Sequence, residues 1–432
     1  MSIASEILRI QNAKANILRA LSRKGIQISE GATLDDFAED IDPLTAGEEI
    51  SYLNNPQGYL SFKFITNGTV RWQNKKGDIE YSTNGGSTWT SFNGTTLNVQ
   101  KDDEIWFRGS LTNGCGDSSE ANSSKFITIG KYYASGNILS LCSFNTTLQQ
   151  YHFAYLFKGC VGLNTDLGKQ LLLPAITLAE SCYCNMFSGC TSLITTPELP
   201  ATTLANECYS GMFDGCISLT IAPELPATTL AEYCYSCMFD QCASLTSAPE
   251  LPATTLAESC YNYMFSNCAS LITAPPKLPA TTLANECYSG MFEGCTSLII
   301  APELPATTLA NECYSDMFFN CTSLTTPPEL PATTLAYSCY RYMFQNCTSL
   351  TTAPELPATT LALYCYYQMF QDCTSLNYIK CLATDISASD CTYNWVNSVA
   401  SSGTFVKDPN MSSWTTGESG IPNGWSVVDA SN

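Results

Sequence analysis

The chain is poor in histidine and in positive charge. One His and 19 Lys+Arg stand against 39 Asp+Glu in 432 residues, a formal net charge of −20. A chain this acidic repels phosphates instead of releasing their counterions, so no nucleic-acid partner is expected. The single His152 leaves little material for His-based metal sites or catalytic triads. No apolar run approaches the ~18 residues of a membrane span, so no membrane insertion is expected. The opening stretch MSIASEILRIQNAKANILRALSRKG carries charges throughout and lacks the apolar centre of a secretory signal. Cysteine, at 23 of 432 residues, is too sparse for a disulfide scaffold, and the chain is too long for one. Paired acids, a triad, a metal cluster and a phosphate loop are all missing. The expectation is a non-enzymatic protein without cofactor or metal.

What is present is a repeat. The motif C-x-S-L-x-x-x-P-x-L-P-A-T-T-L-A-x-x-C-Y-x-x-M-F-x-x-C recurs from about residue 182 to 376. One cysteine series runs Cys182, Cys208, Cys234, Cys260, Cys287, Cys313, Cys339, Cys365 and Cys391. A second runs Cys160, Cys190, Cys216, Cys242, Cys268, Cys295, Cys321, Cys347 and Cys373. The step is 26 residues in the regular region, and 27 once, at Pro275-Pro276-Lys277. His152 stands at the cysteine phase of a degenerate first copy, and Cys391–Val396 is a degenerate last copy. Worn terminal copies are what capping requires. Apolar residues at fixed phases, such as Leu219, Leu225, Leu230, Cys234, Met238, Phe239 and Cys242, predict stacked coils that bury continuous ladders. The Leu230–Phe239 stretch reads as a short helix or a 3₁₀ turn; the phase alone leaves both open.

The skeleton C-x-x-L…L-P…L…M-F-x-x-C resembles the BspA-type, or Treponema-type, leucine-rich repeat. This chain is about three residues longer per copy and has C-Y where that family more often has Ile-Gly. The resemblance covers about half the chain and implies a leucine-rich-repeat solenoid.

The flanks differ in character. Residues 1–48 read as a helical docking or oligomerisation module. Ile3, Ile7, Ile10, Lys14, Ile17 and Leu21 form a heptad-like seam, and Thr33–Asp36 opens a second short helix with Leu34, Phe37 and Ile41 on its apolar face. Five bases stand against Glu6 in the first 26 residues. Residues 49–135 alternate aromatic and polar residues between Asn-Gly turns and predict a small antiparallel β domain. Ser82–Trp89 is similar to the Asp-box of sialidases, a folding hairpin, with Asn84 replacing its Asp. Residues 136–376 are the solenoid. Residues 377–432, with Trp395, Trp414 and Trp425, are a C-terminal capping region.

The cysteines are compatible with disulfides, metal sites or core. Their fixed phases favour a packing ladder of free thiols. Cys115, Cys142, Cys184, Cys237 and Cys381 fall outside the two phases and are the expected exposed thiols. His152 occupies a ladder phase and reads as a core histidine. LPATT lacks the Gly of a sortase signal and reads as a structural turn. Glu198, Glu224, Glu250, Lys277, Glu303, Glu329 and Glu355 share one phase, as a solvated face or a divalent-cation stripe. Residues 177–376 hold 17 acids and two bases, a balance of −15. Copies differ chiefly beside C-Y and M-F. The aromatic and polar variants concentrate in the last copies, as Tyr337, Arg341, Tyr342, Tyr364 and Tyr367. These read as a receptor-facing patch or as ordinary surface tyrosines.

Taken in order, a basic helical start, a β domain and a 26-residue solenoid resemble repeat proteins of gut Bacteroidales and their tailed phages, crAss-like ones included. The stretch Ile10–Ile28 is similar to a short N-terminal module of phage fibre and tail proteins. The resemblance implies a virion appendage, tail fibre or head fibre, assembled in the host cytoplasm and docked through its N-terminus to other virion proteins. A homotrimer and a bacterial surface glycan or protein as receptor are implied with it. The alternative is a BspA-like bacterial surface adhesin.

Overall fold

The computed structural model describes residues 58–165, 170–412 and 414–431. Among these residues there is no α-helix; strands, 3₁₀ turns and ladders of tight turns build the whole described architecture. The expected fold class, opened by a helical anchor, is thereby corrected to an all-β one. The anchor itself, with Ile3, Ile7, Ile10, Lys14, Ile17 and Leu21, lies outside the described residues.

The N-terminal part is a two-sheet sandwich. Strands β1 (Leu60–Phe64), β3 (Ile79–Ser82), β4 (Thr90–Phe92), β6 (Glu104–Gly109) and β8 (Tyr132–Asn137) belong to one sheet. Strands β2 (Gly68–Gln73), β5 (Thr96–Val99) and β7 (Lys125–Ile129) form the other, in the order β5-β2-β7. Pairing within this part is antiparallel, as in Phe62 opposite Ile105 and Val70 opposite Leu97. Aromatic residues at alternate positions face inward and fill the space between the sheets. Phe62 and Phe107 each meet Phe126 at 4.9 Å, and Trp72 meets it at 5.1 Å. The Asn84 side chain spans its turn, with the Thr88 N–H donating to Asn84 Oδ1 at 3.0 Å.

The sandwich runs into the solenoid without a break. Strand β8 pairs antiparallel with β1 on one side and parallel with β9 (Leu163–Thr165) and β10 (Leu171–Leu172) on the other. Phe126 of the sandwich stacks on Phe157, and Phe157 on Phe187. The hydrophobic core is therefore one body from Leu60 to Trp425. Parallel bridges carry the register from coil to coil, as in Ser247 to Thr273 to Ile300 to Thr326. The far end is a parallel sheet of β11 (Tyr378–Cys381), β12 (Thr404–Lys407) and β13 (Ser426–Asp429). There Trp395 and Val396 take the places of the Met–Phe pair, with Trp395 stacking on Tyr366 at 6.1 Å and on Trp414 at 5.7 Å.

The segment expected as a helix or 3₁₀ turn is a run of successive tight turns. Its buried residues recur strictly every four, as in Cys182-Tyr183, Met186-Phe187 and Cys190. Every second N–H closes a turn onto the carbonyl three residues back, as from Met186 to Tyr183 at 3.2 Å. The N–H groups between them donate to the next coil, as from Tyr183 to Cys208 at 3.0 Å and Phe187 to Met212 at 2.9 Å. An α-helix would spend all these donors within the segment. Here half of them weld neighbouring coils. The price in conformation is a left-handed residue every fourth position, such as Ser181, Asn185 and Gly189 at φ 51, 53 and 72°.

The ladders explain the cysteines. Stacked Tyr rings from Tyr183 to Tyr366 step 5.7–6.0 Å. A Phe ladder from Phe126 to Phe370 steps 5.2–5.8 Å. All 23 cysteines are unpaired. In the second series each thiol donates to the carbonyl of the Phe one coil back, as Cys242 to Phe213 at 3.2 Å and Cys268 to Phe239 at 3.1 Å. Cysteine combines small apolar bulk with one weak donor, and the site asks for both. Burial pushes these thiols up, Cys216 and Cys373 to about 12, which disfavours the thiolate. The expected exposed thiols are corrected: Cys115, Cys142, Cys184 and Cys381 are buried, and Cys237 is half-buried. Cys115 and Cys142 belong to the sandwich end and Cys381 to the terminal parallel sheet, whereas Cys184 and Cys237 stand in the turn segments of their own coils.

Candidate recognition face

Two residues of every four in the turn segment lie outside the core ladders, small ones among them, such as Ser181, Ser259 and Ser338, being themselves buried. They form a face of parallel columns, one residue per coil in each. Relative to the first-series cysteine, the outward positions are the two residues before it, the second and third after it, and the sixth and seventh after it. The left-handed positions belong to this set: the one before, the third after and the seventh after. Where backbone strain alone decides, these slots hold Gly or Asn, as Gly211, Gly290, Asn267 and Asn346 do. Other copies place Tyr263 and Tyr342 at the third-after slot, and Tyr233 and Tyr364 stand at the one-before slot, where no copy has Gly or Asn, all at φ 52–57°.

The face changes along its length. From the coil of Cys182 to that of Cys313, one border carries a glutamate in every coil: Glu180, Glu207, Glu232, Glu258, Glu286 and Glu312. The floor is small, with Ser210-Gly211, Ser289-Gly290 and Ser315. Asp214, Asp240 and Glu293 line the other border. Burial, with Asp316 and Asp240 nearby, pushes the Glu293 carboxyl up to about 7. Burial raises Asp214 and Asp316 as well.

In the last three coils the same columns turn aromatic. The five sequence-predicted residues come together here. The Arg341 guanidinium lies over the Tyr342 ring at 4.5 Å and the Tyr367 ring at 5.6 Å, and donates to Tyr342 Oη at 3.2 Å. Tyr337 meets Tyr364 at 5.9 Å, Tyr364 meets Tyr367 at 5.7 Å, and Tyr342 meets Tyr367 at 5.5 Å, all edge-on. Tyr393, which the sequence reading passed over, stacks on Tyr367 at 5.0 Å and is 42% exposed. It shares the column of Arg341 and Tyr367, so extending that phase into the degenerate last copy would have found it. Leu363, 39% exposed, sits beside Tyr364.

Other singled-out residues fall elsewhere. His152 is fully buried; its Nδ1 accepts from the Gln149 N–H at 3.0 Å, and burial lowers its pKa to about 4. The Glu198–Glu355 row lies exposed on a different side, along the Pro-rich bends. Glu355 pairs with Lys380 at 2.9 Å. Among the described residues no three metal-ligating side chains converge, and no helix is long and apolar enough to cross a membrane.

No family model and no curated protein matches the chain. Among solved structures, it is similar to a leucine-rich repeat protein from Bacteroides ovatus. Identity is 16% and the TM-score 0.29, over 64% of this chain and 80% of that one.

Proposed function

We propose that this is a non-catalytic recognition protein, a repeat solenoid that binds a partner on its turn face through the Arg341 patch. One observation carries the reading. The left-handed slot that holds Gly or Asn in some coils, as at Asn185, Gly211 and Gly290, holds half-buried tyrosines in others, Tyr263 and Tyr342. Each non-Gly residue there costs on the order of 1 kcal/mol, and the interior gains nothing from a ring that points outward. Strain retained on a surface, beside a core that hardly varies, is the mark of a displayed binding set. The tyrosines and Arg341 are also the residue types that anchor interfaces.

The finer placement is that of a bacteriophage appendage, tail fibre or head fibre. It would be held on the particle by other virion proteins, as a homotrimer, and present the solenoid to a bacterial envelope. The order of a β domain followed by a repeat body ending in its own cap supports this reading. Mass spectrometry of purified particles tests the placement: the chain should co-purify with capsid and tail proteins, and its absence would sink that placement. Recognition is tested separately. Full-length protein should bind cells of a Bacteroidales panel, and the combined change of Tyr337, Arg341, Tyr342, Tyr364 and Tyr367 to Ser should abolish binding. Unchanged binding would refute the patch.

A further inference from the structure

We infer that the Arg341 patch takes a neutral saccharide chain, laid along the solenoid axis across the coils of Arg341, Tyr367 and Tyr393. This rests on the recognition reading above and names its ligand class. Three features select that class.

The first is charge. Arg341 stands among carboxylates: Glu312 and Asp316 act on its guanidinium, and Asp390 acts on Tyr367. Among the described residues none of them forms an ion pair with Arg341. An anionic ligand meets these acids and a face that is acidic through six preceding coils. A cationic ligand meets the guanidinium, which packs against two rings. A ligand without charge avoids both penalties.

The second is hydrogen bonding. A guanidinium carries five N–H donors, and one of Arg341's serves Tyr342 Oη. The remaining donors stand with tyrosyl hydroxyls and the amides of Gln345 and Gln368. That is a mixed donor and acceptor surface suited to hydroxyl groups.

The third is shape. Arg341, Tyr367 and Tyr393 occupy one column in three successive coils, and Tyr393 keeps 42% of its surface open. Rings offer flat apolar faces to the C–H face of a pyranose. Beside these rings the exposed large apolar side chains are Leu363 and Tyr337, few for the apolar centre that a protein interface of ~800 Å² per partner needs.

The test uses the full chain in calorimetric titration. Probes are neutral gluco-, manno-, galacto- and xylo-oligosaccharides of four to six residues, with oligogalacturonate of equal length as the charged counterpart. At least one neutral series should bind and oligogalacturonate should not. Tyr393→Ala and Arg341→Lys should each weaken binding by about tenfold or more. Their unfolding midpoints should match the parent. Failure of every neutral series, preference for the uronate, or indifference to both substitutions overturns the inference. Cell binding separates the two claims. If Tyr393→Ala abolishes adsorption and protease treatment of the cells does too, while periodate treatment does not, the partner is a protein. The saccharide inference then fails and the recognition reading stands. If adsorption ignores the patch altogether, the recognition reading itself fails.

Discussion

The solenoid shows solvent two faces that have lived through the same duplications, and only one has diverged. On the Pro-rich side, E-L-P-A-T-T recurs almost unchanged, with exposed threonines and glutamates repeating coil after coil. On the turn face the outward columns run from glutamate and glycine to arginine and tyrosine within nine coils. Burial cannot account for the contrast, since both faces are wet. Backbone geometry accounts for part of it. Pro223 and Pro226 and their equivalents set bends and withhold donors, so that side is fixed by chain direction. The turn face has stricter backbone demands still, with three left-handed residues per coil, and yet it is where bulky residues appear. Divergence against conformational cost points to a use for the side chains.

The largest effect that would break the comparison lies beneath both faces. Phe265→Ala removes one ring from a ladder stacked at 5.4 and 5.7 Å. It should cost about 3–5 kcal/mol in denaturant unfolding. Cys268→Ala, which deletes the donor to the Phe239 carbonyl at 3.1 Å, should cost about 1–2 kcal/mol. A Cys268→Ala variant as stable as the parent would show that the thiol only fills space.

A pH effect sharpens the contrast between the acidic and aromatic halves of the turn face. Burial, with Asp316 and Asp240 nearby, pushes Glu293 in the fold up to about 7 from the ordinary 4.5. Its folded form therefore holds a proton that the unfolded chain has released. Stability should fall as pH rises from about 4.5 through 7, and Glu293→Gln should remove that fall. Unfolding midpoints of both proteins at pH 5 and pH 8 check this: equal at pH 5, the variant higher at pH 8. His152 works in the opposite sense. Its folded pKa near 4 means stability is lost as pH drops below about 6.5, and His152→Cys should flatten that limb.

The smallest effect tests the strain argument. Tyr233 is exposed at φ 54°. Tyr233→Gly should raise stability by up to ~1 kcal/mol, the left-handed relief less the entropy that Gly adds to the unfolded chain. A loss of stability would mean the ring packs usefully, and the functional reading of the left-handed tyrosines would weaken.

Much of this was legible in the sequence because stacking makes one coil's chemistry visible in every other. The two cysteine phases, the Tyr and Phe ladders and the buried His152 all follow from period alone. The antiparallel β part followed from alternation around Phe62, Phe64 and Trp72. The turn geometry did not, because C-Y-x-x-M-F-x-x-C satisfies a helical face nearly as well as a four-residue turn. The signal that separates them is Gly and Asn recurring at Gly189, Gly215, Asn267 and Gly294, where a helix would avoid them. The fusion of sandwich and solenoid was hidden as well. Strand β8 uses both its edges, and no pattern along Tyr132–Asn137 announces its second partner. Within the candidate site, the contact of Arg341 with Tyr367 depends on residues one coil apart meeting in one column. Tyr393 was concealed by the decay of the last copy.

The most direct test of the central claim is an exchange within the molecule. Arg341, Tyr342, Tyr367 and Tyr393 are replaced together by the small residues that hold their columns in earlier coils, Ser, Gly, Ser and Ser, and adsorption to bacterial cells is measured beside the unfolding midpoint. The account predicts a protein as stable as the parent that no longer adsorbs. A stable variant that adsorbs as well as the parent would contradict it.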